Sequence, residues 1–510
     1  MTDPAWAEGY VVDIGYTHGY YRELAPSALR FVALLAGLEV ARGEEPFTCY
    51  ELGCGNGYSL TVHGAANPLG EFIGVDFNPT HIHNARQLAA DGGVANVRFL
   101  EKSFGELLEL DLPDADIIEL HGVWSWVGEE HRRQIVELIR RRLKPAGIAY
   151  VSYNCLPGLA SVSPLQRLLV EHTELGAGER VERVRRALDF ASRLDGAGAE
   201  FFRANPVAKV RLAGVADYDP RYIAHEYFNA NWSLFYHADV ARTLGSAKLG
   251  YAGSADYVQN FSQFVLKPEI AEIVAEVGDR AFAETLKDYA SNQVFRKDVF
   301  TRGAPAADAA AREAILGSTR FALARPRSLC RLQGRTPVGE VTLQPESYAP
   351  VLDALARAPM TFDELAQAPE TAGLGRTRLR QGVFGMAALG NVWPALPAAG
   401  DAARRAAVRR LNEVLLRQKR PGAATTVLAS PVVGAGVALG AVDRICFATP
   451  QDEPGAIERA KRAVAAGGQK LVKDGQAVEP GRATDAAVEE QARFFFRELL
   501  PFYRQLGVID

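Results

Sequence analysis

The sequence has little sulfur and no excess of charge of either sign. Its 510 residues include five cysteines (Cys49, Cys54, Cys155, Cys330, Cys446) and three methionines. The cysteines lie far apart and never in a Cys-x-x-Cys pair. That argues against a zinc site or a disulfide framework and fits a reducing cytoplasm. Lysine and arginine total 57 against 61 acids, a net charge of -4. This leaves no basic field for nucleic acid and no acidic tail. No apolar run approaches the ~20 residues that span a bilayer. The first residues hold neither a basic region nor an apolar core, so no signal peptide is expected. The longest uncharged stretch, 421–442, is broken by glycine and reads as buried strands and turns. All nine histidines lie at or before position 237, so the second half has no imidazole to act as base or ligand.

What is present is a chain long enough for two or three domains, each with its own core. Residues 47–153 alternate strand-like and helical patterns. The strand-like runs are Phe47–Leu52, Glu71–Asp76, Asn96–Glu101, Ala115–Leu120 and Ile148–Tyr153, with helical patterns between them. Such alternation predicts a parallel sheet wound on both faces, with ligands at the carboxyl ends of its strands. The first strand ends in Glu51-Leu52-Gly53-Cys54-Gly55-Asn56-Gly57. A strand that breaks into glycine and opens a helix lets a ligand lie against bare backbone. The spacing is Glu-x-Gly-x-Gly-x-Gly and not the Gly-x-Gly-x-x-Gly of the dinucleotide fingerprint, a difference that separates a methyl-donor reading from a nicotinamide one.

Each later strand end adds a candidate. Asp76, 19 residues beyond Gly57, can accept both hydroxyls of a ribose, and Phe77 can stack on a purine. Asp76 is alternatively a helix cap. Ser103 and Phe104 follow the third strand, where an adenine edge is expected, and Ser103 is also a candidate cap. The fourth strand leads into His121-Gly122-Val123-Trp124-Ser125-Trp126-Val127. Aromatic faces there suit a sulfonium, and His121 can position or deprotonate an acceptor. A hydrophobic plug is the plainer reading of the same loop.

In order and spacing these pieces resemble the class I S-adenosylmethionine-dependent methyltransferases. His121 to Val127, Tyr150-Val-Ser-Tyr-Asn-Cys-Leu-Pro-Gly158, His225-Glu-Tyr-Phe228, Phe295-Arg-Lys-Asp-Val-Phe300 and Leu428-Ala-Ser-Pro-Val432 resemble signature segments of bacterial members with a methyltransferase regulatory domain. That group includes rickettsial protein-lysine methyltransferases. The resemblance implies an α/β fold: a Rossmann-like seven-stranded methyltransferase sheet with a helical insert, then a second α+β domain with a winged-helix-like part. It implies S-adenosylmethionine as cofactor and S-adenosylhomocysteine as product, held by Glu51, Gly53, Cys54, Gly55, Asn56, Gly57, Asp76, Phe77, Ser103, Phe104, His121 and Gly122. Trp124, Leu156 and Leu159 depart from the expected aromatic pattern on the acceptor side. The acceptor that the resemblance implies is a protein lysine, and these departures keep a small molecule, lipid or sugar as the alternative. A non-catalytic, donor-binding regulator is a further alternative.

Residues 1–45 read as an arm that either packs on the domain or caps the donor, with Tyr16 beside His121 as a catalytic candidate. The methyltransferase domain is expected over 46–302, with a helical insert at about 160–245 whose His225 and Trp232 join Tyr20, Trp124, Trp126 and Asn154 as candidates for the substrate pocket. No metal is expected, because His225 and His237 lack a clear third ligand. Residues 303–315 read as a hinge and 316–510 as a C-terminal domain. Its helix-helix-helix-strand pattern at about 348–396 is winged-helix-like. Arg376, Arg378 and Arg380 alternate rather than line a face, which makes packing or dimerisation the expected role and nucleic acid an unlikely partner. The basic run Arg404 to Arg420 is expected to be the solvated face of an amphipathic helix.

Overall fold

The computed structural model describes residues 19–509 apart from 42, 217, 219, 419–425, 468–471, 474–475 and 478–481. After α1 (Pro26–Leu35), strands and helices alternate: β1 (Phe47–Leu52), α2 (Tyr58–Ala66), β2 (Gly70–Asp76), α3 (Pro79–Gly92), β3 (Val97–Glu101), α4 (Phe104–Leu108), β4 (Ala115–Leu120), α5 (Glu129–Arg142) and β5 (Leu143–Asn154). A helical segment follows, with α6 (Ser163–Glu174), α7 (Arg180–Gly196), α8 (Glu200–Ala204), α9 (Pro206–Ala216) and α10 (Pro220–Tyr227). The chain then returns through α11 (His237–Gly245), β6 (Leu249–Ser254), α12 (Ser262–Val265), α13 (Pro268–Ala275), α14 (Arg280–Ser291) and β7 (Phe295–Arg302). The seven strands form one sheet in the order β3-β2-β1-β4-β5-β7-β6. The first five are parallel. Strand β7 runs antiparallel between β5 and β6. This is the Rossmann-like methyltransferase sheet. All six residues of β1 are buried, as helices on both faces of a parallel sheet require.

The strand order reverses direction between β1 and β4, and the ends of those two strands open the site. The inserted helices form a small core of their own, from Leu165 and Leu169 through Val184 and Phe202 to Ile223. They stand over the carboxyl ends of β4 and β5, where α9 and α10 reach the cavity described below.

The remaining chain forms a second region. It contains α15 (Ala309–Ser318), β8 (Arg320–Leu323), β9 (Gln333–Thr336), β10 (Gly339–Thr342), α16 (Pro345–Arg357), β11 (Met360–Thr361), α17 (Phe362–Gln367), α18 (Arg376–Ala388), β12 (Val392–Ala395), α19 (Asp401–Arg417), β13 (Thr426–Ser430) and β14 (Ala435–Leu439). Helices through Gln505 complete it. The helix-helix-helix-strand order is present as α16, α17, α18 and β12, and β8 lies between β11 and β12 in a small sheet. Arg376 is engaged by Glu313 and Asp363, and Arg380 by Glu313. Those guanidinium groups therefore already have carboxylate partners.

The solvated face expected of α19 is present in part: Arg409, Arg410 and Arg417 are exposed, and Lys419 and Arg420 lie outside the described residues. Arg404 is buried and donates to the carbonyls of Pro431, Ala399 and Pro397. Arg410 donates to the carbonyls of Asp91 and Ala90 at the end of α3, and Leu411 packs on Gly92. The apolar positions between the arginines face α2 and α3, and the guanidinium groups of Arg404 and Arg410 reach carbonyls at the edges of that packing. Helix α2 is buried along all nine of its residues. Its Tyr58 hydroxyl meets both backbone groups of Val427 in β13. One hydrophobic core therefore runs from Leu60 and Phe72 in the sheet region to Leu411 and Val437 beyond it.

Candidate active site

Strand β1 delivers the glycine turn against β2. The amides of Gly53 and Cys54 both donate to the carbonyl of Val75, at 2.7 and 3.0 Å. Gly53, Gly55 and Gly57 have φ of 74, 51 and 64°, the left-handed region that favours glycine. A Cβ at Gly57 would strike Phe99 and Ala85, whereas a Cβ at Gly55 would meet nothing within 4 Å. Gly55 is thus the point where backbone lies open to a ligand. Asp76 holds it there: one carboxylate oxygen accepts from the Gly55 amide at 2.9 Å. The other accepts from the Asn78 amide at 2.9 Å and lies 3.3 Å from Nδ1 of His81. The cap of α3 is Asn78, not Asp76, with Pro79 in the first turn. Ser103 does cap α4, in a reciprocal capping box with Glu106.

These groups line a cavity of about 630 Å³. Of the residues expected at the donor, Glu51, Gly53, Cys54, Gly55, Asn56, Asp76, Phe77, Ser103, Phe104, His121 and Gly122 line it. Gly57 does not; it caps α2 behind the turn. Among the expected acceptor residues, Trp126 and Asn154 line the cavity. Trp124 is turned into the core against Phe235. His225 is buried, and Trp232 stacks on Tyr227 within the packing of the inserted helices. Tyr20 faces the second region, where its hydroxyl bonds Nε2 of His63 at 3.1 Å and the amide of Gly436. Tyr16 lies outside the described residues.

The neighbour of Tyr20 takes the place expected for it. Tyr21 lines the cavity, its amide donates to Ser59 Oγ, and its ring lies 3.8 Å from that of His121. Glu23, Lys297 and Phe295 line the same wall, and Lys297 donates to Glu23. Sequence reasoning missed this trio because Glu23 and Lys297 are separated by most of the domain. The one available signal was the Phe295 to Phe300 segment, which placed a lysine and an arginine inside a strand.

Electrostatics divides the cavity. Burial, with Asp76 nearby, pushes the Glu51 carboxyl up to about 8. One of its oxygens is buried without a partner. An unsatisfied buried acid at the cavity wall is a site for a cationic ligand group. Burial lowers His121 to about 4, so its ring is neutral near pH 7. The Ser152 hydroxyl accepts from the Gly122 amide at 2.9 Å. The Tyr150 hydroxyl lies 2.8 Å from Nδ1 of His121 and holds its ring in place. Glu23 is held below the usual carboxylate range, although burial opposes this, because Lys297 lies beside it.

The comparisons with known proteins agree with this architecture. Residues 47–188 match the family described as a methyltransferase domain, and residues 219–302 match the predicted methyltransferase regulatory domain. The uncharacterized protein sll1526 of Synechocystis sp. is 33% identical over 503 residues, covering 99% of both chains. The uncharacterized protein RP789 of Rickettsia prowazekii is 26% identical over 56% of this chain and 51% of its own. Two structures of PKMT2 from Rickettsia typhi, one in complex with AdoHcy, superpose with a TM-score of 0.66 at 18% identity, over 97% of this chain and 99% of theirs. At that identity the likeness speaks for the shared fold. On its sheet order, its glycine turn and these matches, the chain belongs to the S-adenosylmethionine-dependent methyltransferases that carry a methyltransferase regulatory domain.

Proposed function

We propose that the acceptor of this methyltransferase is the side-chain amine of a protein lysine. S-Adenosylmethionine supplies a methyl group already activated on a sulfonium, so the protein's task is to align two partners and exclude water. The donor half of the cavity fits that cofactor on its own chemistry. The orphaned Glu51 oxygen suits the ammonium of the methionine part. The Asp76 carboxylate, with lone pairs beyond its two amide bonds, suits the ribose hydroxyls. The open face of Gly55 suits close approach of the ligand.

The observation that carries the lysine reading is the opposite wall. There an ionised carboxylate, Glu23, sits with the aromatic ring of Tyr21 and the neutral imidazole of His121. Aromatic faces accommodate an alkylamine and its stem, and the Glu23 carboxylate, already paired with Lys297, leaves the wall polar without a free counter-ion. Phe295 and Trp126 extend the apolar lining. Arg211, Glu226 and Asn231 from the inserted helices line the side where a polypeptide carrying the lysine would lie. The rickettsial PKMT2 structures, which share the fold along nearly the whole chain, support the same acceptor class. Among the described residues no helix is long and apolar enough to cross a membrane. The cysteines are free and buried, which fits work in a reducing compartment.

The test is a lysate of the host incubated with the enzyme and methyl-labelled donor, followed by acid precipitation and hydrolysis. Label recovered as methyl-lysine is expected. Label that stays in the acid-soluble fraction would assign a small-molecule acceptor instead, and absence of all transfer would assign a regulatory role.

A further inference from the structure

Lys297 is an unusual residue to find in a methyl-transfer cavity. Its strand, β7, carries buried charges on both sides of it: Arg296 is shared by Glu284, Asp288 and Asp298. Those acids balance Arg296, and Lys287 adds a further partner for Glu284. Lys297 is not part of that network. It points through the wall, lines the main cavity, and is bound by Glu23 from the turn before α1. The Lys297 side chain is one-third exposed, and Glu23 half that. The pair is therefore on the cavity surface and not inside the protein.

We propose that the Glu23–Lys297 pair sets the protonation state of the acceptor amine. This rests on the lysine reading above. An ammonium has no lone pair, so an amine acceptor must shed a proton to water at the cavity mouth before its nitrogen can bond the donor's methyl carbon, while the methyl–sulfur bond breaks and its electron pair leaves on the sulfur of S-adenosylhomocysteine. Two fixed opposite charges beside it act in opposite senses. Lys297 opposes the ammonium, as a like charge does, and Glu23 favours it. Glu23 alone would bind the substrate ammonium and hold it protonated. Lys297 occupies that carboxylate, so the amine can enter without gaining a strong counter-ion. His121, kept neutral by burial, adds no charge beside the pair.

The other charged groups leave this pair in control of the wall. Arg22, next to Glu23, is turned over the rings of Trp393 and Tyr257. From α2, His63 lies close enough to feel Glu23, but burial lowers it to about 3 and keeps it neutral. From the loop after β6, Asp256 feels both members, and burial raises its carboxyl. From β4 and β5 come His121 and Tyr150, both kept neutral by burial. On the far side of β7 are Glu284, Lys287, Asp288 and Arg296, already paired with one another. Across the cavity, Glu51 and Asp76 stand at the donor end; Lys102, His131, Arg211 and Glu226 line the rim.

The two members make opposite predictions, which a merely structural role does not. The probe is Nα-acetyl-Nε-[13C]methyl-lysine methylamide bound to the complex with S-adenosylhomocysteine, its methyl resonance followed against pH. Lys297→Met leaves Glu23 unopposed and is expected to raise the bound amine's titration midpoint by about one pH unit; Glu23→Gln leaves Lys297 unopposed and is expected to lower it by about as much. The acid limb of the rate profile should move with the midpoint in each variant. Midpoints that stay put, or move the same way in both variants, overturn the role of the pair. A probe that fails to bind the wild-type complex at millimolar concentration, with no methyl-lysine formed in lysate, overturns the lysine reading itself.

Discussion

The two halves of the cavity are built in different ways. The proposed donor half comes mostly from one stretch, Glu51 to Phe104, whose cavity residues lie at or just beyond the ends of neighbouring parallel strands. The acceptor half gathers Tyr21 and Glu23 from before the sheet, His121 and Asn154 from its middle, Arg211 and Glu226 from the inserted helices, and Lys297 from its last strand in sequence. The donor half repeats a geometry that local turns dictate. The acceptor half exists only when distant segments are held together, and Tyr20 is part of what holds them. A protein built this way can keep its cofactor site while its acceptor changes.

Substitutions test that division. The largest effect is expected from Asp76→Ala, which removes both carboxylate bonds that set Gly55 and Asn78. Donor-product affinity, measured by calorimetry, should fall by about 1–3 kcal/mol. Unchanged affinity would remove Asp76 from the donor site.

Glu51→Gln comes next, with a loss of about tenfold, or ~1.4 kcal/mol, at pH 8. The sign follows from its raised carboxyl. A proton held up to about 8 in the folded protein is released early when a cationic group binds the ionised form. Donor-product affinity should therefore rise with pH toward about 8 in the wild type. The substitution should flatten that rise. The same shift costs the empty protein stability as pH climbs from the unfolded carboxyl's range to about 8, so ligand should stabilise most at the upper end.

Tyr150→Phe removes the hydroxyl that holds the His121 ring. Turnover should drop roughly fivefold, about 1 kcal/mol, while donor-product affinity stays level. Equal losses in both would place His121 in the donor half and blur the comparison. The smallest effect is expected from Tyr20→Phe, which breaks the link to Gly436 and His63. Amide exchange in Ala435–Leu439 and at the start of α2 should speed up by roughly threefold to fivefold, and the acceptor KM should rise more than the donor's. Exchange confined to wild-type rates would mean the second region does not brace the arm.

Much of this could be read before any coordinates. The sheet strands, the turn at Gly53–Gly57 and the helix starts at Tyr58 and Phe104 follow from short patterns of apolar periodicity, glycine and caps. Sequence alone could not choose between Tyr20 and Tyr21, because both are aromatic and adjacent. Their directions depend on Gly436, His63 and Ser59, which distant parts of the chain supply. Trp124 and Trp126 present the same difficulty: two residues apart on one loop, one enters the core against Phe235 and the other the cavity. Among the α19 arginines, Arg409 and Arg417 are exposed as read, whereas nothing in the spacing announces that Arg404 is buried against Pro431 or that Arg410 reaches the carbonyls of α3.

The sequence by itself determined the family, the sheet and the donor end, since those depend on interactions within a few residues or between neighbouring strand ends. Tertiary structure alone decided the acceptor wall. Glu23 meets Lys297, and His121 meets Tyr150 and Tyr21, only once seven strands are in register and the chain before the sheet is laid across them. Charge and hydrogen-bond direction in a buried site depend on which groups are brought together, and local sequence does not specify that.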